Sequence, residues 1–342
     1  MNAFGLDIGT TSLKIVWLNQ GKNGISLKSC LTTVTPAKGM FSESPFDQEA
    51  MAEAIQKLVV EAKITTRNVN IALPENQVFT KVIEMPVLSD KELASAIYWE
   101  AEQHIPAPLA TMTLDYKVLR RQTGTEVSSK MQVLLVGAPT ALLTRYQQII
   151  SLTGLSIAAV ETEILSVIRS LVPQKADAVL LIVNIGALGT SLAIMQNGII
   201  VFTYSISLGG VAMDRAIASN FGFTMTQAEE YKKVYGINDQ NLGGKISQIL
   251  EPILMTMVNE IKKAFAYYAE KYKNESPITQ ILVTGGSSLL PGLDRFFVKH
   301  TGVETVIGNP WKALAIAGVP EGLLEQGPRF SVGVGLALRE NE

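Results

Sequence analysis

Two short stretches of this 342-residue chain carry residue types suited to holding phosphate, and they echo each other: GLDIGTTSLKIV from Gly5 to Val16, and VNIGALGTSLAI from Val183 to Ile194. In both, an apolar run ends in an acid or amide followed by Ile and Gly, then small residues, then Thr-Ser-Leu-x-Ile. Gly9 lets the backbone turn sharply, and Thr10, Thr11 and Ser12 offer N–H and hydroxyl donors that can wrap phosphate oxygens. Asp7, at the strand end, would face a phosphate-bound Mg²⁺ through water, because Mg²⁺ keeps much of its hydration shell. Lys14 returns along the next strand toward the β- or γ-phosphate. Taken alone, the first stretch is also an ordinary β-hairpin with a Gly-Thr turn.

The second copy argues for more than a hairpin, since a phosphate chain held between two lobes needs a donor loop from each. Asn184, Gly186, Gly189 and Thr190 supply that loop, with Asn184 where the first copy has Asp7 and Ala193 where it has Lys14. Asn keeps the size and hydrogen bonding of Asp without its charge, so phosphate binding should survive better than any hydrolysis, which should be slow. A third piece, VTGGSSLLPGL from Val283 to Leu293, reads as a strand feeding Gly285, Gly286 and Ser287 at a helix start, where backbone can approach an adenine ring and ribose. The SLGG turn leading into VAMDRAI places Gly209 and Gly210 at another strand-to-helix turn whose N–H groups could face the nucleotide.

The elements that must position these residues fall into two similar halves. Strand-like runs AFGLDI, SLKIVWL and GISLKSCLTTV open the first, followed by a helix over FDQEAMAEAIQKLVVEA with Asp47 as expected N-cap, then a buried strand NVNIALP. Residues from about 77 to 121 have the texture of a small inserted module of strand, helix and strand, the helix opened by a Ser89/Glu92 capping box and punctuated by Pro106 and Pro108. MQVLLVGAP is then expected to resume the first lobe. The expected division is a first lobe over 1–172 and a second over 173–342, the latter with the second phosphate loop and the adenosine loop.

Composition narrows the function classes. With 29 basic and 31 acidic residues there is no basic excess to drive nucleic-acid binding. Cys30 is the single cysteine and there are two histidines, which leaves little for a disulfide or a zinc site and suits a reducing, cytoplasmic setting. Asp7 interrupts the first hydrophobic run before it could act as a signal peptide, and no uninterrupted apolar stretch approaches the ~18 residues of a membrane span.

The three glycine-rich motifs, in this order over nearly the whole chain, resemble the two phosphate loops and the adenosine loop of the actin, heat-shock chaperone and sugar kinase superfamily. The resemblance implies an α/β, actin-like, two-lobed duplicated fold that binds ATP with Mg²⁺. AAVETEILSVIR is similar to the first connecting helix, which implies Glu161 as the water-positioning group; Glu161 and Glu163 are also readable as a solvated helix start. TQAEEYKKVYG is similar to the Ala-Glu-x-x-Lys helix, which implies contacts from Glu229 and Lys232 to ribose and base. An inserted α+β module in the first lobe resembles the FtsA and PilM branch, and ALPENQVFTKVIEMPVLSDKELASAIYWEAEQHIP is especially similar to the type IV pilus assembly PilM family. FtsA normally ends in a basic amphipathic membrane helix, and FSVGVGLALRENE does not read as one, so PilM is favoured.

The PilM resemblance implies an ATP-binding scaffold peripheral to the inner membrane, which holds the N-terminal cytoplasmic peptide of PilN in a groove within residues 71–119 and works with other pilus assembly proteins. A homo-oligomer is compatible with it; nucleic acid and direct membrane insertion are not expected. An FtsA-like division scaffold and a small-molecule kinase remain alternatives, the kinase lacking an evident carboxylate base outside the nucleotide motifs. Other conspicuous residues read as structural: His104 at a helix end, Tyr98 and Trp99 as core more than partner groove, and Lys262, Lys263 and Lys271 as a solvated face.

Overall fold

The computed structural model describes residues 3–22, 24–121, 130–172, 178–237, 244–273 and 275–339. Two five-stranded sheets of matching design form its frame. The first has the order β3 (Gly24–Val34), β2 (Ser12–Gly21), β1 (Phe4–Ile8), β4 (Asn68–Leu73), β8 (Ser156–Thr162); the second has β11 (Ile199–Ile206), β10 (Thr190–Gln196), β9 (Val179–Ile185), β12 (Gln280–Thr284), β13 (Glu304–Ile307). In each, an antiparallel three-strand meander continues into two parallel strands. Every residue of β1 and β9 is buried, as a strand covered on both faces requires, which is why VLLIVNI reads as a continuous run without alternation.

Helices supply that cover. On one face of the first sheet lie α1 (Pro45–Glu61) and α3 (Thr140–Leu152), burying Met51, Ile55, Leu58, Tyr146 and Ile149. The N-cap of α1 is Ser44, with Pro45 in the first turn, and Asp47 lies inside the helix paired with Lys38 at 3.1 Å. The second sheet is covered by α5 (Gly210–Phe221), α6 (Met225–Tyr235), the long α7 (Lys245–Lys271) and α8 (Leu293–Thr301), whose buried Leu250, Leu254, Met257, Val258 and Ile261 follow helical spacing on α7.

The other face of the first sheet is covered by one helix from mid-chain and one from far downstream. Helix α4 (Glu163–Leu171) packs there with α11 (Ser331–Ala337), which is reached through the short helices α9 (Pro310–Ala313) and α10 (Glu321–Leu324). Val16 and Leu18 are buried under Trp311, Phe330 and Val334, so part of the segment that a cut at 173 assigns to the second half covers the first sheet. Gly5 and Gly335 allow the close approach: a side chain at Gly5 would run into the α11 backbone, and one at Gly335 into that of Ser166.

The inserted layer is a third sheet, of order β5 (Phe79–Pro86), β7 (Lys130–Pro139), β6 (Met112–Arg121), backed by α2 (Asp90–His104). The expected capping box is present, with Ser89 and Glu92 closing it. MQVLLVGAP does not resume the first lobe; as β7 it is the centre of this sheet. The reason is that both its faces are buried: Met131, Val133 and Leu135 pack on Leu93 and Ile97 of α2, while Leu134 enters a core shared with α4 and the second sheet. Tyr98 and Trp99 are exposed rather than core, at 50% and 68%, because Leu93, Ile97 and Ala101 already form the inward stripe.

Candidate nucleotide site

β1 and β9 both end at a cleft of about 900 Å³ between the two sheets. In the first hairpin Asp7 stands opposite Lys14, and in the second Asn184 stands opposite Ser191. Each turn is closed by its glycine, Gly9 N–H donating to the Ser12 carbonyl at 3.1 Å and Gly186 N–H to the Gly189 carbonyl at 2.9 Å. The two hairpins therefore have equal turns, and the Thr-Ser-Leu echo is out of step with them by two residues: Ser191, not Ala193, takes the place of Lys14. Ala193 is core. Lys14 Nζ lies 2.9 Å from Asp7 Oδ2, with both side chains largely buried. In this pair of hairpins, charge comes from the first and neutral hydrogen-bonding groups from the second.

The remaining glycine turns clasp the second hairpin. Gly210 N–H donates to the Gly186 carbonyl and Val211 N–H to that of Ala187, each at 2.9 Å. The donors expected to face a nucleotide at this helix start thus hold the hairpin instead. Gly210 lines the cleft, while Gly209 lies behind it, where a β-carbon would meet the carbonyls of Gly186 and Ala187 at 2.6 Å. Gly285, at φ +90°, would carry a β-carbon 2.6 Å from Asn184 Oδ1, and Ser287 Oγ donates to the Gly186 carbonyl at 3.4 Å. Gly209 and Gly285, where a β-carbon would strike the second hairpin, let the three turns pack into one cradle, which fits a phosphate chain and ribose.

The first-lobe residues Asp7, Gly9, Thr10, Thr11, Ser12 and Lys14 line the cleft together with Asn184, Gly186, Gly189, Thr190, Gly285, Gly286 and Ser287. Glu229 and Lys232 on α6 line it too, each already paired. Lys232 Nζ lies 2.7 Å from Asp214 and donates to the Gly210 carbonyl at 3.3 Å; burial pushes the Asp214 carboxyl up despite this partner. Glu229 lies 2.7 Å from Lys233, whose hydrogen bond holds it below the usual carboxylate range. Among the described residues, no group of three or more His, Cys, Asp or Glu is placed to hold a metal ion, so Mg²⁺ here would depend on phosphate oxygens and water beside Asp7.

Glu161 is not in the cleft. It is still in β8, and its carboxylate accepts from both Arg169 Nη atoms and from Arg339, each at 2.6 Å, and from Ser166 Oγ. Burial would raise its pKa, but Arg169, Ser166 and Arg339 together hold it below the usual range. The chain changes from strand to helix at Thr162, and the carboxylate that opens α4 into the cleft is Glu163. Burial pushes Glu163 up to about 8, with the charges of Asp7 and Glu75 adding and Lys14 opposing.

Sequence reasoning also missed Glu75, Lys38, Phe41 and Arg329, all of which line the cleft. Glu75 sits in a 3₁₀ turn, Glu75–Gln77, where Pro-Glu-Asn-Gln reads only as a loop, and Arg329 comes from the returning C-terminal segment. No local signal marks either one.

A family model for the type IV pilus assembly protein PilM matches residues 5–341. The chain is 24% identical over 349 aligned positions to the cell division protein FtsA of Streptococcus pneumoniae serotype 2 (strain D39 / NCTC 7466), covering 90% of this chain and 75% of that protein. Among solved structures, the PilM–PilN type IV pilus biogenesis complex superposes with a TM-score of 0.85 at 29% identity, covering 100% of this chain and 99% of the other. The ADP-bound MreB5 of Spiroplasma citri superposes with a TM-score of 0.53 at 14% identity, covering 97% and 94%, a likeness of fold.

Proposed function

The chain belongs to the type IV pilus assembly protein PilM family, and on that premise we propose that it binds ATP with Mg²⁺ between its lobes and holds the N-terminal cytoplasmic segment of PilN, as a scaffold peripheral to the inner membrane. The observation that carries the nucleotide half is the pair of equal hairpins facing one cleft, clasped by glycine turns that leave no room for a β-carbon. The partner half rests on the likeness, over the whole chain, to a PilM solved with PilN. No helix among the described residues is long and apolar enough to cross a membrane, which suits attachment through a protein. The division-scaffold alternative has only the more distant FtsA match behind it.

In this reading Lys14 and the turn donors of Thr10, Thr11 and Ser12 would hold phosphate oxygens, Asp7 would help hold Mg²⁺, and Gly285, Gly286 and Ser287 would border the adenosine. Bound Mg²⁺ would supply charge neutralisation along the phosphates. Glu163 replaces Glu161 as the carboxylate that faces the attacking water, and at neutral pH it holds its own proton, so it is a poor base as it stands. Hydrolysis is slow for that reason and because Asn184 brings no charge.

Calorimetry tests both halves. Lys14→Ala and Asp7→Ala should each weaken Mg-ATP binding about tenfold or more, and unchanged affinity would show the hairpin assignment to be wrong. A peptide from the N-terminus of a PilN encoded beside this protein should bind; no detectable heat at high micromolar peptide removes the partner reading. Turnover of many per second would overturn the slow-hydrolysis reading.

A further inference from the structure

The inserted layer is joined to the first lobe by the chain but packed on the second. Its strand β5 leaves β4 through the turn at Glu75–Gln77, then runs along β11, the outer strand of the second sheet. Thr203 Oγ1 on β11 donates to the Thr80 carbonyl on β5 at 2.7 Å, and Lys271 on α7, expected on a solvated face, lies 3.0 Å from Glu84 on β5. Beneath these contacts Val82 and Leu134 of the insertion share one buried cluster with Ile164 and Val167 of α4 and with Ile182 and Ile200 of the second sheet.

A second cavity, of about 350 Å³, follows this seam, and Glu75 and Ser205 line both it and the nucleotide cleft. Glu75 is buried, and its carboxylate accepts from Ile164 N–H at 3.4 Å, one residue beyond Glu163. The buried hydroxyls of Thr80 and Thr162 flank the same carboxylate without closing a full hydrogen bond to it. Buried polar groups left short of a partner mark a place where a second arrangement can satisfy what the first does not.

We propose that Glu75 and the β5–β11 seam couple the phosphate cleft to the inserted layer, so that ligand binding between the lobes repositions the insertion. The inference rests on the nucleotide-binding reading above. Any change in cleft width moves the β9–β10–β11 meander relative to β1 and β4. The insertion cannot follow the first lobe without straining the Thr203 and Lys271 contacts, nor the second without shifting the Glu75 turn and the start of α4. Packed layers of this kind respond by switching between arrangements rather than by bending. Glu75 is a positioning residue in this scheme, acting on the cleft through the start of the helix that bears Glu163. Coupling of this kind is reciprocal, so whatever holds the insertion also alters nucleotide affinity.

Hydrogen–deuterium exchange of the full chain, with and without saturating Mg-ATP, tests the proposal. The expected result is protection at the hairpins around residues 7–14 and 184–191 together with a change of about fivefold or more in exchange at β5. Thr203→Val should retain hairpin protection and lose the β5 response. Glu75→Ala should also lose the β5 response, and Glu75→Gln, which keeps an acceptor for Ile164 N–H, should restore it. Protected hairpins with an unresponsive wild-type β5, or a full β5 response in Thr203→Val, would overturn the coupling. Unprotected hairpins would overturn the nucleotide reading and the coupling with it.

Discussion

Replacing Glu163 with glutamine keeps the shape of the side chain and removes a carboxylate that the fold holds at a cost. Its pKa rises from the ordinary 4.5 to about 8, through burial first and then through the charges of Asp7 and Glu75. Between those two values the folded protein binds more protons than the unfolded chain, so this group makes stability fall as pH rises through that window. From pH 4.5 to 7 the shift amounts to about 3 kcal/mol at 1.36 kcal/mol per unit. Glu163 borders the open cleft, and water screening reduces the expected figure to about 1–2 kcal/mol. Urea unfolding at half-unit steps from pH 5 to 8.5 measures it: the difference in stability between E163Q and wild type should widen in favour of E163Q as pH rises and level off above pH 8. Parallel curves for the two proteins across that range would show that Glu163 is not a buried proton holder and would remove the explanation of slow hydrolysis built on it.

Glu161→Ala should lower stability by about 3–5 kcal/mol in the same unfolding assay, because Arg169 and Arg339 lose the carboxylate that both contact, while the nucleotide affinity of the folded fraction stays near wild type. Gly209→Ala drives a methyl group into the carbonyls of Gly186 and Ala187; calorimetry should show nucleotide binding weakened about tenfold, with a stability loss of about 1–3 kcal/mol. Burial raises the Cys30 thiol from 9.0 to about 12 despite nearby Lys14, so iodoacetamide at pH 8 should alkylate the native protein about a hundredfold or more slowly than the urea-unfolded chain, as followed by mass.

Local pattern carried the elements whose causes are local. The two hairpins, the turn at Gly285 and Gly286 and the Ser89/Glu92 box depend on residues next to one another, and each stands where its motif lies. Errors came where the deciding contact is distant. Whether a carboxylate of VETEI faces the cleft depends on the residue at which β8 gives way to α4, and arginines eight and 178 positions on hold Glu161 away. The alignment of Lys14 with Ala193 followed letters, whereas strand pairing follows turn closure, which put Ser191 there. MQVLLVGAP reads as a buried strand under either assignment, and sequence periodicity does not say which sheet a doubly buried strand enters. Tyr98 and Trp99 look like core by type, but the helical stripe beside them was already filled.

The return of the C-terminal segment to the first sheet bears on how the chain can fold. β1 and β2 emerge first, yet Val16 and Leu18 find their cover only when Trp311, Phe330 and Val334 exist. The patch at Val16 and Leu18 therefore stays open until a segment about three hundred residues further on is made, a long-range closure of the kind that slows folding and invites association with other chains. A fragment ending at the lobe boundary would hold that open state permanently, and we expect it to collect in inclusion bodies while the full chain stays in solution.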